Sequence, residues 1–137
     1  MAVAEAMIIH VSIDAPWDAV FDFARRPENM GAWAAGLAAG LRPAGPEWIG
    51  DGGPLGDIRI RFASENDLGV IDHDVTLPDG TVVHNAFRIV PNGDGAEAMF
   101  TLIRQAGMDD AAFRSDAAAI RRDLDALKSL MEMRNPE

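Results

Sequence analysis

The stretch that decides the fold is residues 109–133, DDAAFRSDAAAIRRDLDALKSLMEM. Its apolar residues recur at alternating steps of four and three, which is the spacing of one face of an α-helix. They are Phe113, Ala117, Ile120, Leu124, Leu127 and Met131. Asp109 and Asp110 stand where N-terminal caps belong, beside the positive end of the helix dipole. The stretch therefore predicts a long amphipathic helix whose apolar stripe needs a partner surface.

The chain before this helix predicts strands, turns and two short helices. Alternating apolar and polar residues indicate a first strand at 7–13, and Asp14-Ala15-Pro16 then opens a helix. A second short helix starts near Pro27. The glycine-rich segment 36–56 predicts short strands around Leu41 and around Trp48 and Ile49. Longer strands are expected at 57–63, 68–77, 81–90 and 96–104.

The order of these elements predicts one α+β domain spanning residues 1–137. Consecutive strands joined by short turns must be antiparallel, and a run of strands beside segregated helices is typical of the α+β class. A curved antiparallel sheet is the surface on which the long helix can bury its apolar stripe.

Composition excludes several classes of function. The 137 residues are 48% hydrophobic, carry a net charge of −10 and include no cysteine. Nucleic acids and anionic membranes demand basic patches, so neither is expected as a main partner. Disulfides, thiolate catalysis and Cys-based zinc sites are excluded. No signal peptide and no apolar run of membrane-spanning length are visible, so a cytoplasmic location is expected.

The N-terminal part of the sequence resembles the opening of the SRPBCC (START-like, helix-grip) superfamily. The resemblance lies in the run from Ile13 to Phe23, IDAPWDAVFDF, then in Arg26-Pro27-Glu28-Asn29-Met30 and Trp33. The segment 123–128, DLDALK, is similar to a bacterial branch of that superfamily labelled polyketide-cyclase-like. The resemblance implies about seven antiparallel strands gripping the C-terminal helix, with a cavity between them. It also implies binding of lipids, sterols, polyketides or hormones, or aromatic ring closure, but carries no shared catalytic motif.

A hairpin at residues 77–81 sets the register of two strands. Pro78 suits the first turn position and Gly80 suits the left-handed residue that closes a three-residue loop. This loop places His73 opposite Asn85, on one face of the sheet with the apolar residues Ile71, Val75, Val83, Phe87 and Ile89. Asp72, Asp74, His84 and Arg88 then share the other face. A loop shorter or longer by one residue would mix the two sets.

Three interpretations of the polar pair His73 and Asn85 compete. The two side chains satisfy each other inside a packed core, or they orient a ligand in a cavity, or His73 acts as a general base. The residues expected to contact a ligand are His73, Asn85, Trp33, Phe87, Phe62, Ile71, Phe113, Ala117 and Ile120. His73 is the one candidate catalytic residue.

The triplet Asp72-His73-Asp74 resembles a set of metal ligands, but alternate residues of a strand point to opposite faces. No metal site is therefore predicted, and no cofactor is expected. Asp72 and Asp74 are expected to form ion pairs with Arg59 and Arg61 across the outer face.

Three functions are compatible with the sequence. The first is binding of a small apolar or amphipathic molecule between the sheet and the helix. The second is a cyclase or dehydratase acting on a polyketide-like substrate, with His73 as the acid or base. The third is a protein-interaction module that uses its acidic surface and has a filled core. The sequence indicates no particular oligomeric state.

Overall fold

A computed structural model describes residues 2–37 and 40–134 of the chain. The strands are β1 (Ala6–Ile13), β2 (Arg42–Ala44), β3 (Glu47–Asp51), β4 (Asp57–Phe62), β5 (His73–Thr76), β6 (Val82–Asn92) and β7 (Gly95–Ile103). The α-helices are α1 (Trp17–Ala24), α2 (Pro27–Met30) and α3 (Asp110–Arg134), and short 3-10 turns cover Ala35–Leu37 and Gly53–Leu55.

The strands of the described residues form one curved sheet in the order β1-β7-β6-β5-β4-β3-β2, and every pair of neighbours is antiparallel. α1 and α2 follow the first strand, and α3 packs on the concave side of the sheet. This is the α+β helix-grip architecture expected from the sequence.

The apolar stripe of α3 lies against the sheet as predicted. Phe113, Leu124, Leu127 and Met131 are buried, while Ala117 and Ile120 are partly buried against the same core. Asp109 accepts a hydrogen bond on Oδ1 from the backbone N–H of Ala112 at 2.8 Å, so it is the N-cap residue. The core continues through alternate residues of β1, β6 and β7, with Ile13, Phe87, Ile89 and Ala98 almost fully buried.

The polar flank of α3 covers the free edge of β1. Arg121 donates a hydrogen bond from Nη1 to the carbonyl oxygen of His10 at 2.8 Å, and Lys128 Nζ donates to that of Ser12 at 2.9 Å. The Asp14 N–H donates to Glu132 Oε2 at 2.9 Å. An edge strand leaves such groups unpaired and open to other chains, so these side chains both hold the helix and protect the edge.

The strand predicted at 68–77 is wrong in its first half, because β5 covers only His73–Thr76. Asn66 Oδ1 accepts from the N–H groups of Leu68 and Val70 at 2.9 and 3.2 Å and folds this segment into a turn. A single bridge then joins Val70 to Arg88. At Asp72 a side-chain oxygen, Oδ1, accepts the N–H of Phe87 at 3.0 Å. Side chains of short polar residues have replaced part of the backbone ladder.

The ion pairs expected between Asp72 or Asp74 and the arginines of β4 are also wrong. Asp72 pairs with Arg88 at 2.8 Å and Asp74 with His84 at 2.6 Å, both on the β5–β6 side. Arg59 reaches Glu47 on β3 at 3.4 Å instead. Diagonal and directly opposite neighbours within the β5–β6 hairpin come closer than the β4 side chains.

Gly69 allows the turn before β5 to approach β6 closely. Its φ is +81°, and a Cβ at this position would collide with the carbonyl oxygen of Ile89. The same carbonyl accepts a hydrogen bond from Trp17 Nε1 at 2.7 Å, while the N–H of Ile89 donates to the Gly69 carbonyl at 2.9 Å. α1 and the turn are therefore joined at one residue of β6, Ile89.

Candidate functional site

The site is built on the β5–β6 hairpin, whose predicted register is confirmed. The N–H of Leu77 donates to the Thr81 carbonyl at 2.8 Å, and Gly80 has a φ of +91°, which closes a three-residue loop. His73 lies opposite Asn85, and Val75 lies opposite Val83. This register directs His73 and Asn85 to the concave side of the sheet, toward α3.

His73 is held as a neutral imidazole with a defined tautomer. Its Nδ1 lies 2.9 Å from the carbonyl oxygen of Ile71, which can only accept, so Nδ1 carries the proton. Nε2 is then the acceptor, and the Asn85 side-chain amide donates to it at 3.4 Å. Burial lowers the pKa of His73 below its ordinary value of 6.5, and the Ile71 hydrogen bond and the nearby Asp72 only partly offset this.

Aromatic rings surround His73 and extend toward α2. The centroids of Phe62 and Phe100 lie 5.4 and 6.5 Å from that of His73. Phe87 lies 6.1 Å from Phe100, and Trp33 lies 5.6 Å from Phe87. All these spacings fall in the range of favourable tilted contacts between aromatic rings. The rings form a continuous apolar surface from the sheet to the segment after α2.

An inner cavity of about 280 Å³ lies between this surface and α3. Its walls come from the 30–37 segment, from the concave faces of β4 to β7 and from the middle of α3. The lining residues are Met30, Trp33, Ala34, Gly36, Leu37, Ile58, Ile60, His73, Val75, Phe87, Phe100, Ile120, Asp123 and Leu124. Most of these side chains are apolar, as is usual for a small-molecule site.

An outer groove of about 710 Å³ adjoins the inner cavity on the hairpin side. It is lined by Val75, Leu77, Thr81, Val83, Asn85, Phe100, Leu102, Ile103, Gln105, Ala106, Met108, Asp116, Ala119 and Ile120. The two spaces share Val75, Phe100 and Ile120 as common walls. The hydrogen bond between Asn85 and His73 therefore joins a side chain of the groove to one of the inner cavity.

The residues expected to contact a ligand fall into three groups. His73, Trp33, Phe87 and Ile120 line the inner cavity, and Asn85 and Ile120 line the groove. Phe62 packs on the His73 ring, while Ile71, Phe113 and Ala117 belong to the surrounding core. Their role as ligand contacts stays a prediction.

Sequence reasoning missed Phe100 and Asp123. Phe100 alternates with Ala98 and Leu102 in β7, which already indicated an inward position. Asp123 lies three residues after Ile120, at the border of the apolar stripe, and this spacing was the available signal.

Asp123 is the acidic side chain of the inner cavity. Its Oδ1 accepts a hydrogen bond from the N–H of Ala35 at 3.2 Å, which ties α3 to the 35–37 turn. Burial raises the pKa of Asp123 above its ordinary value, and the Ala35 hydrogen bond and the nearby Arg122 oppose this only in part. Trp33, also in the cavity wall, is buried, and its Nε1–H has no hydrogen-bond acceptor among the described residues.

The described part of the chain contains neither a cluster of metal-binding side chains nor a membrane-spanning helix. Residues 2–37 and 40–134 contain no cluster of three or more His, Asp or Glu side chains that could hold a metal ion. Over the same residues, none of the helices has the length and hydrophobicity required to span a bilayer.

The fold places the chain among proteins of the helix-grip class. DynU16, a protein of the dynemicin biosynthetic locus, superposes with a TM-score of 0.71 at 15% identity over 93% of this chain. The chain spans only 47% of DynU16. CalU16 from Micromonospora echinospora gives a TM-score of 0.67 at 15% identity, with 93% of this chain and 74% of CalU16 covered.

A protein of the same size gives a similar match. A structure from Nitrosospira multiformis has a TM-score of 0.72 at 13% identity, covering 97% of this chain and 100% of that protein. No family model and no curated protein matches the sequence. At these identities the likeness concerns the fold alone, which is the helix-grip fold expected from the sequence.

Proposed function

We propose that the protein binds a small hydrophobic or amphipathic molecule between the sheet and α3. The observation that carries this proposal is the inner cavity, whose aromatic wall is interrupted by His73, which is bonded to Asn85 in the adjoining groove. The outer groove adds room for a more polar part of the same ligand. The proposal requires no membrane insertion and agrees with the cytoplasmic location expected from the sequence.

Apolar contact supplies most of the affinity in this proposal. A ligand ring system that buries ~200 Å² gains ~5 kcal/mol from removal of that surface from water. The loss of translational freedom opposes this gain. Hydrogen bonds to His73 and Asn85 then fix the orientation of the ligand. An interaction module with a filled core, the third function considered from the sequence, does not account for the cavity.

Mass spectrometry of the freshly purified protein tests the proposal directly. We expect an added mass under native conditions that is lost on denaturation, and extraction then identifies the ligand. Uptake of an uncharged apolar dye provides a second measurement. Ile120→Trp places a larger side chain in both the inner cavity and the groove and should abolish dye uptake. Ala118→Trp, at an exposed position of the same helix, should leave dye uptake unchanged. Absence of both added mass and dye uptake would reject the proposal.

Acid–base catalysis at His73 is the second candidate, favoured by the tautomer of this residue. Because Nδ1–H is bonded to the Ile71 carbonyl, Nε2 is the basic nitrogen that could abstract an acidic proton. We expect such an enzyme to accelerate hydrogen–deuterium exchange at the central methylene of a β-diketone, measured by NMR. His73→Phe should remove the acceleration, and His84→Phe, on the outer face, should preserve it. Equal exchange rates in wild type, His73→Phe and His84→Phe would reject catalysis at His73 and leave binding as the proposed function.

A further inference from the structure

The charged groups of the inner cavity and the groove are all acidic. Asp123 lines the inner cavity and Asp116 lines the groove, one from each of two turns of α3. Neither set of described lining residues contains an arginine or a lysine. His73, the remaining titratable group of the cavity, is neutral because burial lowers its pKa. A ligand therefore meets no positive side chain in either space.

Asp123 is placed to receive a hydrogen bond from a ligand. Its Oδ1 is occupied by the Ala35 N–H, whereas Oδ2 accepts no hydrogen bond from any described residue. A partly buried carboxylate has lost part of its hydration and gains from a donor or a positive charge nearby. The same oxygen repels an anion placed in the cavity, since the partial burial of Asp123 weakens the screening of the two charges by solvent.

Trp33 provides a second and independent sign of a polar ligand group. Its buried Nε1–H has no acceptor among the described residues, although a buried donor of this kind is normally satisfied. The cavity wall therefore combines a donor without a partner in Trp33 and free acceptor capacity in Asp123. A ligand oxygen can accept from Trp33, and a hydroxyl or ammonium group can donate to Asp123.

We propose that Asp123 makes the inner cavity select ligands whose polar group is uncharged or cationic and donates a hydrogen bond, and reject carboxylates of the same shape. Alcohols and amines attached to an apolar ring system are the chemical class that fits. Asp123 then determines specificity by attraction and by repulsion together. This inference rests on the proposed binding function and adds the charge and headgroup of the ligand.

Three probes with one ring system test the selection. The protein is titrated by isothermal calorimetry with an alcohol, an amine and a carboxylate. These are 1-naphthalenemethanol, 1-naphthylmethylamine and the anion 1-naphthaleneacetate. We expect the alcohol and the amine to bind at least about tenfold more tightly than the carboxylate. Asp123→Asn retains an oxygen for the Ala35 N–H but has no charge. This variant should bind the carboxylate about tenfold more tightly than wild type does. It should no longer bind the amine more tightly than the carboxylate.

Asp125→Asn is the matched control, because it removes the same charge at an exposed position of α3. It should preserve the wild-type order of affinities. If Asp123→Asn fails to fold, as circular dichroism would show, Asp123→Glu must retain the wild-type order. Equal binding of all three probes to wild type, or an equal effect of Asp125→Asn, would overturn the selection and leave the binding function standing. Binding of none of the probes, without any native added mass, would overturn both.

Discussion

The side-chain amide of Asn85 donates to Nε2 of His73 across 3.4 Å, from directly opposite positions on β5 and β6. The other imidazole nitrogen donates to the carbonyl of Ile71 at 2.9 Å. The Asn85 donor favours a neutral ring, since a protonated Nε2 would face an amide donor, whereas the Ile71 carbonyl raises the pKa of His73 and only partly offsets its burial. The two hydrogen bonds thus fix the tautomer and the orientation of His73, while burial favours its neutral form.

The pH dependence of stability should reveal this neutral histidine. The pKa of His73 is lowered in the folded protein, chiefly by burial, so the unfolded chain binds the proton first. Its contribution is fully present above the ordinary value of 6.5 and is lost as the pH falls through that value toward the folded pKa. We expect wild type to lose more stability than His73→Gln between about pH 7.5 and about pH 5.5 in urea denaturation. Identical slopes in the two proteins would contradict a buried neutral His73.

Asp72 should stabilise the protein in a different range of pH. Hydrogen bonds from Arg88, together with the N–H of Phe87, lower the pKa of Asp72 below its ordinary value of 3.8. Its stabilisation is therefore present above this value and is lost as the pH falls below it. At neutral pH, Asp72→Asn should cost about 2 kcal/mol, because one substitution weakens two charge-assisted bonds and a backbone bond.

Asp74→Asn is the control for this prediction. Asp74 forms a single contact with His84 in which both side chains are about half exposed. Its replacement should change the free energy of unfolding by less than about 0.5 kcal/mol. If the two variants lose equal stability, the role assigned to the Asp72 carboxylate in the strand ladder is wrong.

Two glycines with positive φ should respond very differently to alanine. Gly80→Ala places a Cβ in open space and should cost about 1 kcal/mol from the left-handed backbone alone. Gly69→Ala adds a collision with the carbonyl of Ile89, which is also the acceptor for Trp17. We expect a cost of about 3 kcal/mol, measured by chemical denaturation. Similar costs at both positions would show that the close approach of the turn to β6 is unimportant.

Removing the side chains that cover β1 should expose a strand edge whose unpaired backbone groups can pair with another chain. The double variant Arg121→Ala and Lys128→Ala frees the carbonyls of His10 and Ser12. We expect a loss of about 1 kcal/mol for each bond and concentration-dependent self-association in analytical ultracentrifugation. The control is the double variant Arg114→Ala and Arg122→Ala, which removes the same charge from exposed positions. Its self-association should equal that of wild type.

Local chemistry explains which parts of the fold could be predicted from the sequence. The Pro78-Asp79-Gly80 loop and the separation of apolar from charged residues determine the β5–β6 register, so His73 and Asn85 were paired correctly. The strand before His73 was overextended, because alternation alone does not reveal that Asn66 and Asp72 use their side chains as backbone partners. The ion-pair partners predicted for Asp72 and Asp74 were wrong for a related reason. Periodicity assigns a side chain to a face of the sheet but does not identify its nearest neighbour on that face.

The candidate site was less predictable, because a cavity is a property of several elements together. Phe87 could be assigned to one face of the sheet from the hairpin register, but the space between Phe87 and Trp33 could not be predicted. Asp123 borders the apolar stripe of α3, and only the structure shows that it lines the cavity and accepts from the Ala35 N–H. A helical wheel cannot distinguish such a residue from a solvated one.

The attachment of α3 to β1 has a consequence for how quickly a ligand could exchange. Arg121, Lys128 and Glu132 each bond the backbone of β1 or of the residue after it. A swing of the helix away from the sheet would break all three bonds at once, so it is a slow route. Among the described residues, the 33–37 segment has one hydrogen bond to α3, from the Ala35 N–H to Asp123, and its Trp33 is packed in the core. We expect displacement of residues 34–37, with Trp33 left in place, to be the faster path and to set the residence time of the ligand.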